Sequence, residues 1–557
     1  MPLSCKRQQA YSPILGGRHG HVGDHGGSPL IQMHNFSLQQ QLVEALCDSS
    51  CYPHAAKNVR LMETHISWVL LAGRYAYKIK KAVDLGFLDF TDLESRRFYC
   101  KEEIRLNRRF APQLYLDVVA IGGNPQQPEL GFRPAIEYAV KMRRFPSARL
   151  MDRMLTRGLV TPAHIDSLAA TLARFHANLP AADSGFGSLQ EIHSPALQNF
   201  DQLSPLLSAA DGQILANLRQ ASEDEYSSRT ALFEQRRQDG RIRECHGDLH
   251  LGNIALIRNE PVPFDGIEFN PGFRWIDVMN EVAFLVMDLL HRNRPDLAFR
   301  FLNAYLEATG DYQGVGVLRF YLAYRAMVRA KIDAIRARQP DTPPAQAKDA
   351  MAACRDYLKL AESCLARRKT MLVITHGLPG CGKTTVTQAA LERLQAIRIR
   401  SDIERKRLFG LAPLQPSGSA IGDGIYGAEA TRRTYARLHQ IARGLLGAGF
   451  PVIVDAAFLK HAERTQFRLL AQEMAVPFVI LDVQASPAAL RRRIRRRQEH
   501  GRDASEADLE VLQTLQAAQE PLQAEERVCA LEIANEGDIT ALNGRIAVAC
   551  KALEGLP

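Results

Sequence analysis

The stretch Gly377-Leu378-Pro379-Gly380-Cys381-Gly382-Lys383-Thr384 decides how the last third of the chain folds. It matches the pattern G-x-x-x-x-G-K-S/T in full, and the apolar run at 370–375 before it is typical of a buried strand. A helical segment follows, and strand, loop and helix together are the context that this pattern requires. The sequence therefore predicts a loop whose backbone N–H groups surround a phosphate at the positive end of a helix dipole.

Two side chains of this loop have separate predicted tasks. Lys383 is expected to reach the β- and γ-phosphates of a nucleotide, and the hydroxyl of Thr384 to bind Mg²⁺. We therefore predict ATP and Mg²⁺ as cofactors, and we take the whole loop with the adjacent Thr385 as the nucleotide-binding segment. The alternative is a chance glycine-rich turn, which would not account for the strand and helix on either side.

Apolar strands alternate with helical stretches on either side of this segment. Residues 451–455 and 478–482 are two such strands, and the alternation predicts a parallel sheet flanked by helices. Asp455 ends the first of them, which is the position of an acid that orients Mg²⁺ through its water shell. The alternative is an ordinary turn residue at the end of a strand.

Asp402 lies just past a further predicted strand end, in the segment Arg400-Ser401-Asp402-Ile403-Glu404-Arg405. Open sheets of this class present their substrate at that edge. Asp402 is a candidate general base for an attacking hydroxyl, and Arg405 is a candidate for holding an anionic group. The alternative, to which we give equal weight, is that Ser401 or Asp402 caps the N-terminus of a helix.

A dense basic run occupies residues 490–497, with six arginines within seven positions. It predicts a lid helix in which Arg493 and Arg497, four apart on one face, contact the phosphates of ATP. A solvated helix face and a nucleic-acid patch are the alternatives. Nucleic acid is not the partner we expect, because a lid already explains the arginines and no aromatic-rich stacking surface accompanies them.

A second phosphotransfer signature lies at His246-Gly247-Asp248-Leu249-His250-Leu251-Gly252-Asn253. An Asp and an Asn five residues apart have the spacing of a kinase catalytic loop. In such a loop Asp248 takes the proton of the acceptor hydroxyl and Asn253 binds Mg²⁺. Two short strands are expected next, at 254–257 and 261–264, and they deliver Asp265 as the second metal-binding acid.

Residues upstream of this loop complete the kinase pattern in part. Lys78 lies on a predicted strand at 75–80 and is a candidate nucleotide-binding lysine, with Glu103 on a following helix as its ion-pair partner. Lys80 lies on the same strand face, so the choice between the two lysines stays open. Only Gly73 lies near the turn where a glycine-rich phosphate loop is expected. The alternative is therefore a domain that binds a ligand and regulates the P-loop part without catalysing transfer.

Length and composition indicate several globular domains. The chain has 557 residues, of which 46% are hydrophobic and 24% charged, and two or three domains are expected at this length. No apolar run approaches the roughly 18 residues of a membrane helix, and no signal peptide is recognisable, so we expect a cytoplasmic protein without a membrane partner. The predicted organisation is a disordered leader at 1–35, a kinase-like domain at 36–338, a linker and connecting helix at 339–368, and a P-loop domain at 369–557.

These motifs carry resemblances to known families. Residues from about 370 to 555 resemble the small P-loop kinases that phosphorylate a hydroxyl, such as gluconate, shikimate, polynucleotide and chloramphenicol kinases. The catalytic-loop motif with Asp265-Gly266-Ile267-Glu268-Phe269 resembles aminoglycoside phosphotransferases and choline-kinase-like enzymes. From about 37 to 555 the chain is similar to bacterial bifunctional aminoglycoside phosphotransferase/ATP-binding proteins.

The resemblance implies a multidomain fold. A two-lobed α+β kinase domain of the aminoglycoside phosphotransferase type comes first, and an α/β P-loop kinase domain with a parallel sheet follows it. It further implies two ATP-dependent phosphotransfer sites that act on small-molecule hydroxyl acceptors. A polynucleotide end kinase in the C-terminal domain is the remaining hypothesis. The sequence identifies neither acceptor and leaves the oligomeric state open.

Overall fold

The computed structural model of the chain describes residues 8–9, 29–86, 88–183, 185–340, 342–419, 423–500 and 505–555. Of the predicted leader at 1–35, residues 8–9 and 29–35 belong to this set, and the rest of it lies outside the described residues. The chain forms two compact units. Unit 1 comprises Met1–Leu168, Asn178–Asp288 and Phe320–Cys364, and unit 2 comprises Ala169–Ala177, Leu289–Arg319 and Leu365–Pro557.

Unit 1 begins with a seven-stranded sheet of order β1-β2-β3-β4-β7-β5-β6, in which only the β1–β2 pairing is parallel. Trp68, Tyr77 and Ile79 are buried in the hydrophobic core that packs against this sheet. The side chain of Asp92 caps the helix that packs on the sheet, because it accepts from the N–H of Ser95 at 2.8 Å. The elements are β1 (Gln8–Gln9), α1 (Pro29–Ala45), β2 (Arg60–Glu63), β3 (Ser67–Ala72), β4 (Tyr75–Lys80), α2 (Leu93–Asn107), β5 (Tyr115–Asn124), β6 (Gln127–Leu130) and β7 (Glu137–Arg143).

The rest of unit 1 is mainly helical and carries two short antiparallel hairpins, β9–β10 and β8–β11. Three of its helices, α4, α8 and α10, extend into the residues of unit 2. The elements are α3 (Met151–Thr156), α4 (Pro162–Asn178), α5 (Leu189–Leu203), α6 (Ala209–Ser227), α7 (Thr230–Gln238), β8 (Ile242–Glu244), β9 (Ile254–Ile257), β10 (Glu260–Pro263), β11 (Trp275–Asp277), α8 (Val278–His291), α10 (Val315–Ala337) and α11 (Pro344–Leu365).

The apolar stretch from Trp275 to Leu290 reads as one helix in the sequence, and this interpretation is wrong at its start. Residues 275–277 form β11, in register with β8. Asp277 accepts from the N–H of Met279 at 2.8 Å and from Arg236 through two bonds of 2.7 Å. This buried acid fixes the point at which the strand ends and α8 begins, which a local apolar pattern does not show.

Unit 2 is an α/β structure built on a five-stranded parallel sheet of order β13-β14-β12-β15-β16. This confirms the predicted P-loop architecture. The central strands are buried along their whole length, as parallel strands covered on both faces are. The elements are α9 (Pro295–Thr309), β12 (Leu372–His376), α12 (Lys383–Leu394), β13 (Ile397–Arg400), α13 (Ser401–Leu408), α14 (Ala428–Gly447), β14 (Val452–Asp455), α15 (His461–Glu473), β15 (Phe478–Gln484), α16 (Pro487–His500), α17 (Leu509–Ala518), α18 (Ala524–Arg527), β16 (Ala530–Ala534) and α19 (Ile539–Glu554).

The compact units differ from the domains proposed from the sequence in one respect. Helix α9 precedes the linker at 339–344, yet it belongs to unit 2. The domain boundaries themselves stay a prediction. Among the described residues no helix is long and apolar enough to cross a membrane, and the nine cysteines of this part of the chain are free thiols.

Candidate active sites

The catalytic-loop motif of unit 1 follows β8 and is fixed by acids of α8. Glu281 accepts from the N–H groups of His246, at 2.5 Å, and Gly247, at 2.9 Å. About two turns further along α8, Asp288 accepts from the N–H of Leu251 at 2.9 Å. Buried carboxylates therefore hold the loop backbone at both ends, and the sequence motif gave no indication of these two acids.

Gly247 occupies the position at which the usual kinase loop has an arginine. Its φ of +86° lies in the left-handed region, and an added Cβ would lie 2.7 Å from the carbonyl oxygen of Phe273. Both the backbone conformation and the close approach require glycine here. The departure from the usual kinase pattern therefore has a local structural cause.

The two carboxylate oxygens of Asp248 differ, because one accepts a hydrogen bond and the other accepts none from the described residues. The amide Nδ2 of Asn253 donates to its Oδ2 at 2.8 Å and to its backbone oxygen at 3.0 Å. The other oxygen, Oδ1, is buried and has no hydrogen-bond partner among the described residues. Burial acts to raise the pKa of Asp248, but His250 and Arg329 outweigh it, and the pKa lies below its ordinary value. An ionised carboxylate with a free oxygen is suited to accept a proton from a hydroxyl.

Both candidate lysines of β4 contact the same glutamate. Lys78 donates to Glu103 at 2.9 Å and to Asp265 at 2.5 Å. Lys80 donates to the other oxygen of Glu103 at 2.8 Å and to Glu268. Burial acts to lower the pKa of Lys78, but Asp265 and Glu103 raise it well above its ordinary value. The structure thus brings the predicted lysine, glutamate and aspartate together, and it adds Glu268, for which the sequence predicts no role.

The two lysines are expected to respond differently to substitution. The Lys80 side chain is fully buried whereas that of Lys78 is 10% exposed, so Lys78 stays the candidate for binding the nucleotide. In a Lys383→Ala chain, Lys78→Met should lower ATP affinity by about tenfold or more, the loss of one charge-assisted bond. Lys80→Met should instead cost about 3–5 kcal/mol of stability, because the buried Glu268 loses its lysine partner. Calorimetric titration with ATP and urea unfolding measure the two effects, and the reverse pattern would assign Lys80 to the nucleotide.

Asp265 adopts a left-handed backbone conformation, with φ of +63°, which is uncommon for a residue other than glycine. Its N–H donates to the hydroxyl of Tyr115 at 3.0 Å, and the next N–H, of Gly266, donates to Asn107 at 2.8 Å. Burial acts to raise the pKa of Asp265, and Lys78 outweighs it. Tyr115 and Asn107 aim this carboxylate, and their distance along the chain is why the motif did not reveal them.

The turn expected to cover the phosphates contains no glycine. Gly73 lies in the hairpin between β3 and β4, whereas β4, the lysine strand, is third in the antiparallel run β2-β3-β4. A cover loop would therefore join β2 to β3, where residues 64–66 are Thr, His and Ile. Thr64 closes this turn by donating to the carbonyl of Ser67 at 2.8 Å. The site in unit 1 thus lacks the glycine-rich element of protein kinases.

The phosphate loop of unit 2 joins β12 to α12. Its three glycines have φ angles of +143° at Gly377, +83° at Gly380 and +97° at Gly382. Lys383 folds back over the loop and donates to the carbonyl oxygens of Gly377 at 2.8 Å and Leu378 at 3.1 Å. The ammonium group and the N-terminal N–H groups of α12 therefore converge on one anion-binding concavity.

Asn535 and Arg493 fix this loop from the side. Asn535 donates to the carbonyl of Cys381 at 2.8 Å. Arg493 of α16 donates to the carbonyls of Gly380 and Cys381, each at 3.2 Å, and to Asn535. Arg497 donates to the carbonyl of Ala507. The assignment of both arginines to ATP phosphates stays a prediction, and Asn535, which follows β16, is a contact that the sequence pattern does not signal.

Gly382→Ala should damage this loop selectively. An added Cβ would lie 2.2 Å from Nδ2 of Asn535, in a backbone conformation that alanine rarely adopts. We expect a loss of ATP affinity at the P-loop site of about tenfold or more, equivalent to 1.4 kcal/mol of strain. The control is Gly444→Ala in α14, where the added methyl meets nothing within 4 Å. Equal ATP affinity of the two variants in calorimetry would refute the assigned loop geometry.

Asp455 is buried at the end of β14 and is joined to the loop helix. Thr387 of α12 donates to its Oδ2 at 3.1 Å. Thr384 lies one turn earlier, at the start of the same helix. A hydroxyl and a carboxylate oxygen at the end of parallel strands suit Mg²⁺, which prefers oxygen ligands. The residues fit the predicted cation, and the bond to α12 favours this interpretation over an ordinary turn residue.

Asp402 lies in the first turn of α13, on the same edge of the sheet as Asp455. The helix begins at Ser401, its N-cap is Arg400, and no side chain caps it. The capping alternative for Ser401 or Asp402 is therefore wrong. Arg405 is buried and donates to the carbonyl of Ile425 at 2.8 Å, so it secures a neighbouring segment. The role of Asp402 as a general base stays a prediction.

These two units define the chain as an ATP-dependent kinase. The family model described as "Phosphotransferase enzyme family" matches residues 100–321, and the model described as "AAA domain" matches residues 372–522. The chain belongs to the bacterial family that joins a phosphotransferase domain to a P-loop kinase domain, because both family models match it and a curated relative aligns with 76% of its length. That relative, described as an uncharacterized protein of Mycobacterium tuberculosis, is 31% identical over 433 residues, 76% of this chain and 84% of its own length.

Two solved structures are each similar to a part of the chain. A choline/ethanolamine kinase family protein from Mesorhizobium loti is 13% identical, covers 58% of this chain and 97% of its own, and gives a TM-score of 0.37. A gluconokinase from Sinorhizobium meliloti is 19% identical, covers 34% of this chain and 95% of its own, and gives a TM-score of 0.25.

Proposed function

We propose that the chain carries two ATP-dependent phosphotransfer sites, each of which transfers the γ-phosphoryl group to a hydroxyl of a small molecule. The observation that carries the proposal for unit 1 is the buried, unpartnered Oδ1 of Asp248. A buried polar atom without a partner costs free energy, and an acceptor hydroxyl would satisfy it. The match of residues 100–321 to the model described as "Phosphotransferase enzyme family" supports phosphoryl transfer by this unit.

In unit 1 the acceptor hydroxyl gives its proton to Asp248 while its oxygen forms the new bond to the γ-phosphorus. The bond between that phosphorus and the β,γ-bridging oxygen breaks, and ADP leaves. Lys78 neutralises the nucleotide phosphates, and Asn253 and Asp265 would hold Mg²⁺, which supplies further neutralisation when bound. The pKa of Asp248 lies below its ordinary value, so this side chain is ionised at neutral pH and can accept the proton of the hydroxyl.

In unit 2 the loop 377–384 binds the nucleotide phosphates, and Thr384 and Asp455 would hold Mg²⁺. Asp402 takes the proton of the second acceptor from the edge of the sheet. Arg493 and Arg497 of α16 are proposed to act as a lid and to contact the phosphates of ATP. We also propose a cytoplasmic location, where ATP is available and free thiols persist.

The direct test is ADP release from the full chain in the presence of a pool of polar metabolites. We expect the pool to stimulate ADP release above the basal hydrolysis of ATP, and phosphorylated products to appear in the mass spectrum. Metabolite-independent ADP release without any phosphorylated product would contradict transfer and would identify an ATPase.

A second candidate function for unit 1 is a nucleotide- or ligand-binding module that regulates unit 2. The observation that favours it is the glycine-free turn at 64–66 between β2 and β3. Calorimetry of a Lys383→Ala chain separates the two. Binding of ATP that strengthens with Mg²⁺, together with product formation, supports catalysis, and binding without product formation supports the regulatory module.

A further inference from the structure

Helix α9 brings a carboxylate into unit 2 from a part of the sequence that precedes the P-loop segment. Glu307, in the last turn of α9, accepts from Nη2 of Arg398 at 2.6 Å and from its Nε at 2.9 Å. Nη1 of Arg400 lies 3.6 Å from the second oxygen of the same carboxylate. Arg398 is only 4% exposed, so its charge depends on this acid for compensation.

Asn303, one turn earlier on α9, fixes the backbone of the same strand. Its Nδ2 donates to the carbonyl oxygen of Ala396 at 2.9 Å, and its Oδ1 accepts from the N–H of Arg398 at 2.6 Å. The strand concerned, β13, is at the edge of the sheet, where backbone groups are otherwise left unpaired. Helix α9 therefore fixes both the main chain and the side chain of Arg398.

Arg398 extends this network to the phosphate-loop helix. Its Nη1 donates to the carbonyl of Thr384 and to Oγ1 of Thr387, each at 3.3 Å. Thr387 in turn donates to Oδ2 of Asp455 at 3.1 Å. A continuous chain of hydrogen bonds thus runs from Glu307 to Thr384 and Asp455, the two residues assigned to Mg²⁺.

We propose that Glu307 is a positioning residue of the P-loop site, which acts through Arg398 to fix Thr384 relative to Asp455. The inference rests on the proposed function of that site. A second consequence follows from Arg400, whose Nε lies 4.0 Å from Oδ2 of Asp455. Once Glu307 is neutral, we expect Arg400 to pair more closely with Asp455 and to compete with the cation, because its guanidinium has lost one neighbouring carboxylate.

The test compares Glu307→Gln with Glu392→Gln. The second variant makes the same chemical change in a different ion pair of α9, which joins this helix to α12. Glu392 accepts from Arg300 of α9 at 2.8 Å, and no bond shown by the structure connects it with Asp455. Every variant carries Asp248→Asn, so that ATP turnover reports the P-loop site. We expect Glu307→Gln to raise the Mg²⁺ concentration for half-maximal turnover by about tenfold, as loss of a residue that orients metal ligands does. Glu392→Gln should leave it within about twofold, since this pair is partly exposed and is not connected to the residues assigned to the cation.

A readout that needs no transfer accompanies the turnover assay. The increase in unfolding temperature caused by ATP is measured over the same Mg²⁺ range. The portion of this increase that disappears in Lys383→Ala is due to the P-loop site. Glu307→Gln should shift this part to higher Mg²⁺ without changing the stabilisation by ATP in EDTA. If Glu307→Gln does not fold, Arg398→Lys replaces it, because lysine keeps the charge but loses the forked geometry.

A Mg²⁺ requirement equal to that of the parent, or an equal shift in the Glu392→Gln control, would overturn the role of Glu307. Failure of the proposed function is a different result. In that case the Asp248→Asn parent forms no phosphorylated product, while the stabilisation by Mg²⁺ and ATP still reveals whether Glu307 positions the cation site.

Discussion

Lys383→Ala is expected to lower ATP turnover at the P-loop site by about 100-fold or more, the usual cost of removing a preorganised group from developing charge. Lys383 lies over the loop through its bonds to the carbonyls of Gly377 and Leu378. The ammonium is already placed where the β- and γ-phosphates are expected, and alanine cannot replace it. The measurement is phosphorylation of an added metabolite pool by a chain that also carries Asp248→Asn.

The control for this prediction is Lys551→Ala on α19 of the same unit, where the lysine is exposed. It removes the same charge without touching the loop, so turnover should stay within about twofold, as for most exposed charges. Unchanged turnover in Lys383→Ala would refute the assignment of residues 377–384 to the nucleotide.

Asp248→Asn is expected to remove transfer at unit 1 by about 100-fold or more, since general-base catalysis contributes on this scale. The amide keeps the shape of the side chain and its contact with Asn253, yet it accepts no proton. ATP binding should persist, because Lys78 and Asp265 remain. Transfer is measured in chains that also carry Lys383→Ala. In the parent that keeps Asp248, the transfer rate should not depend on protonation of this carboxylate across about pH 6 to 8. This follows because the pKa of Asp248 lies below its ordinary value.

Asp224→Asn provides the matched control on the surface of α6 in unit 1, where Asp224 is exposed. Transfer by this variant should equal that of the parent. If Asp248→Asn retains full transfer, the general-base role is refuted and the regulatory function of unit 1 becomes the better account.

The sequence was most informative where chemistry is carried by neighbouring residues. The loop 377–384 contains its glycines, lysine and threonine in one run, and Asp248, Asn253 and Asp265 lie within 18 residues of one another. Their order alone indicated both nucleotide sites. The parallel sheet followed from strands buried along their whole length, since apolar runs of strand length are visible in any sequence.

The contacts that hold these residues in place could not be read from the sequence. Glu281 supports the catalytic loop from 34 residues away, and Asn535 reaches the phosphate loop from 154 residues away. Such pairs form because tertiary packing brings a donor to a carbonyl or carboxylate, and neither partner has a local signature. The start of α8 has no local signature for the same reason, because a salt bridge between Arg236 and Asp277 decides it.

The central claim is that one chain has two independent phosphotransfer sites. It is tested most directly by transfer from ATP labelled with ³²P at the γ-phosphate into a metabolite pool by four proteins. These are the unmodified chain, Asp248→Asn, Lys383→Ala and the double variant. We expect the unmodified chain to label two sets of products, each single variant to lose a different set, and the double variant to label none. Loss of both sets in one single variant, or labelling by the double variant equal to that of the unmodified chain, would contradict it.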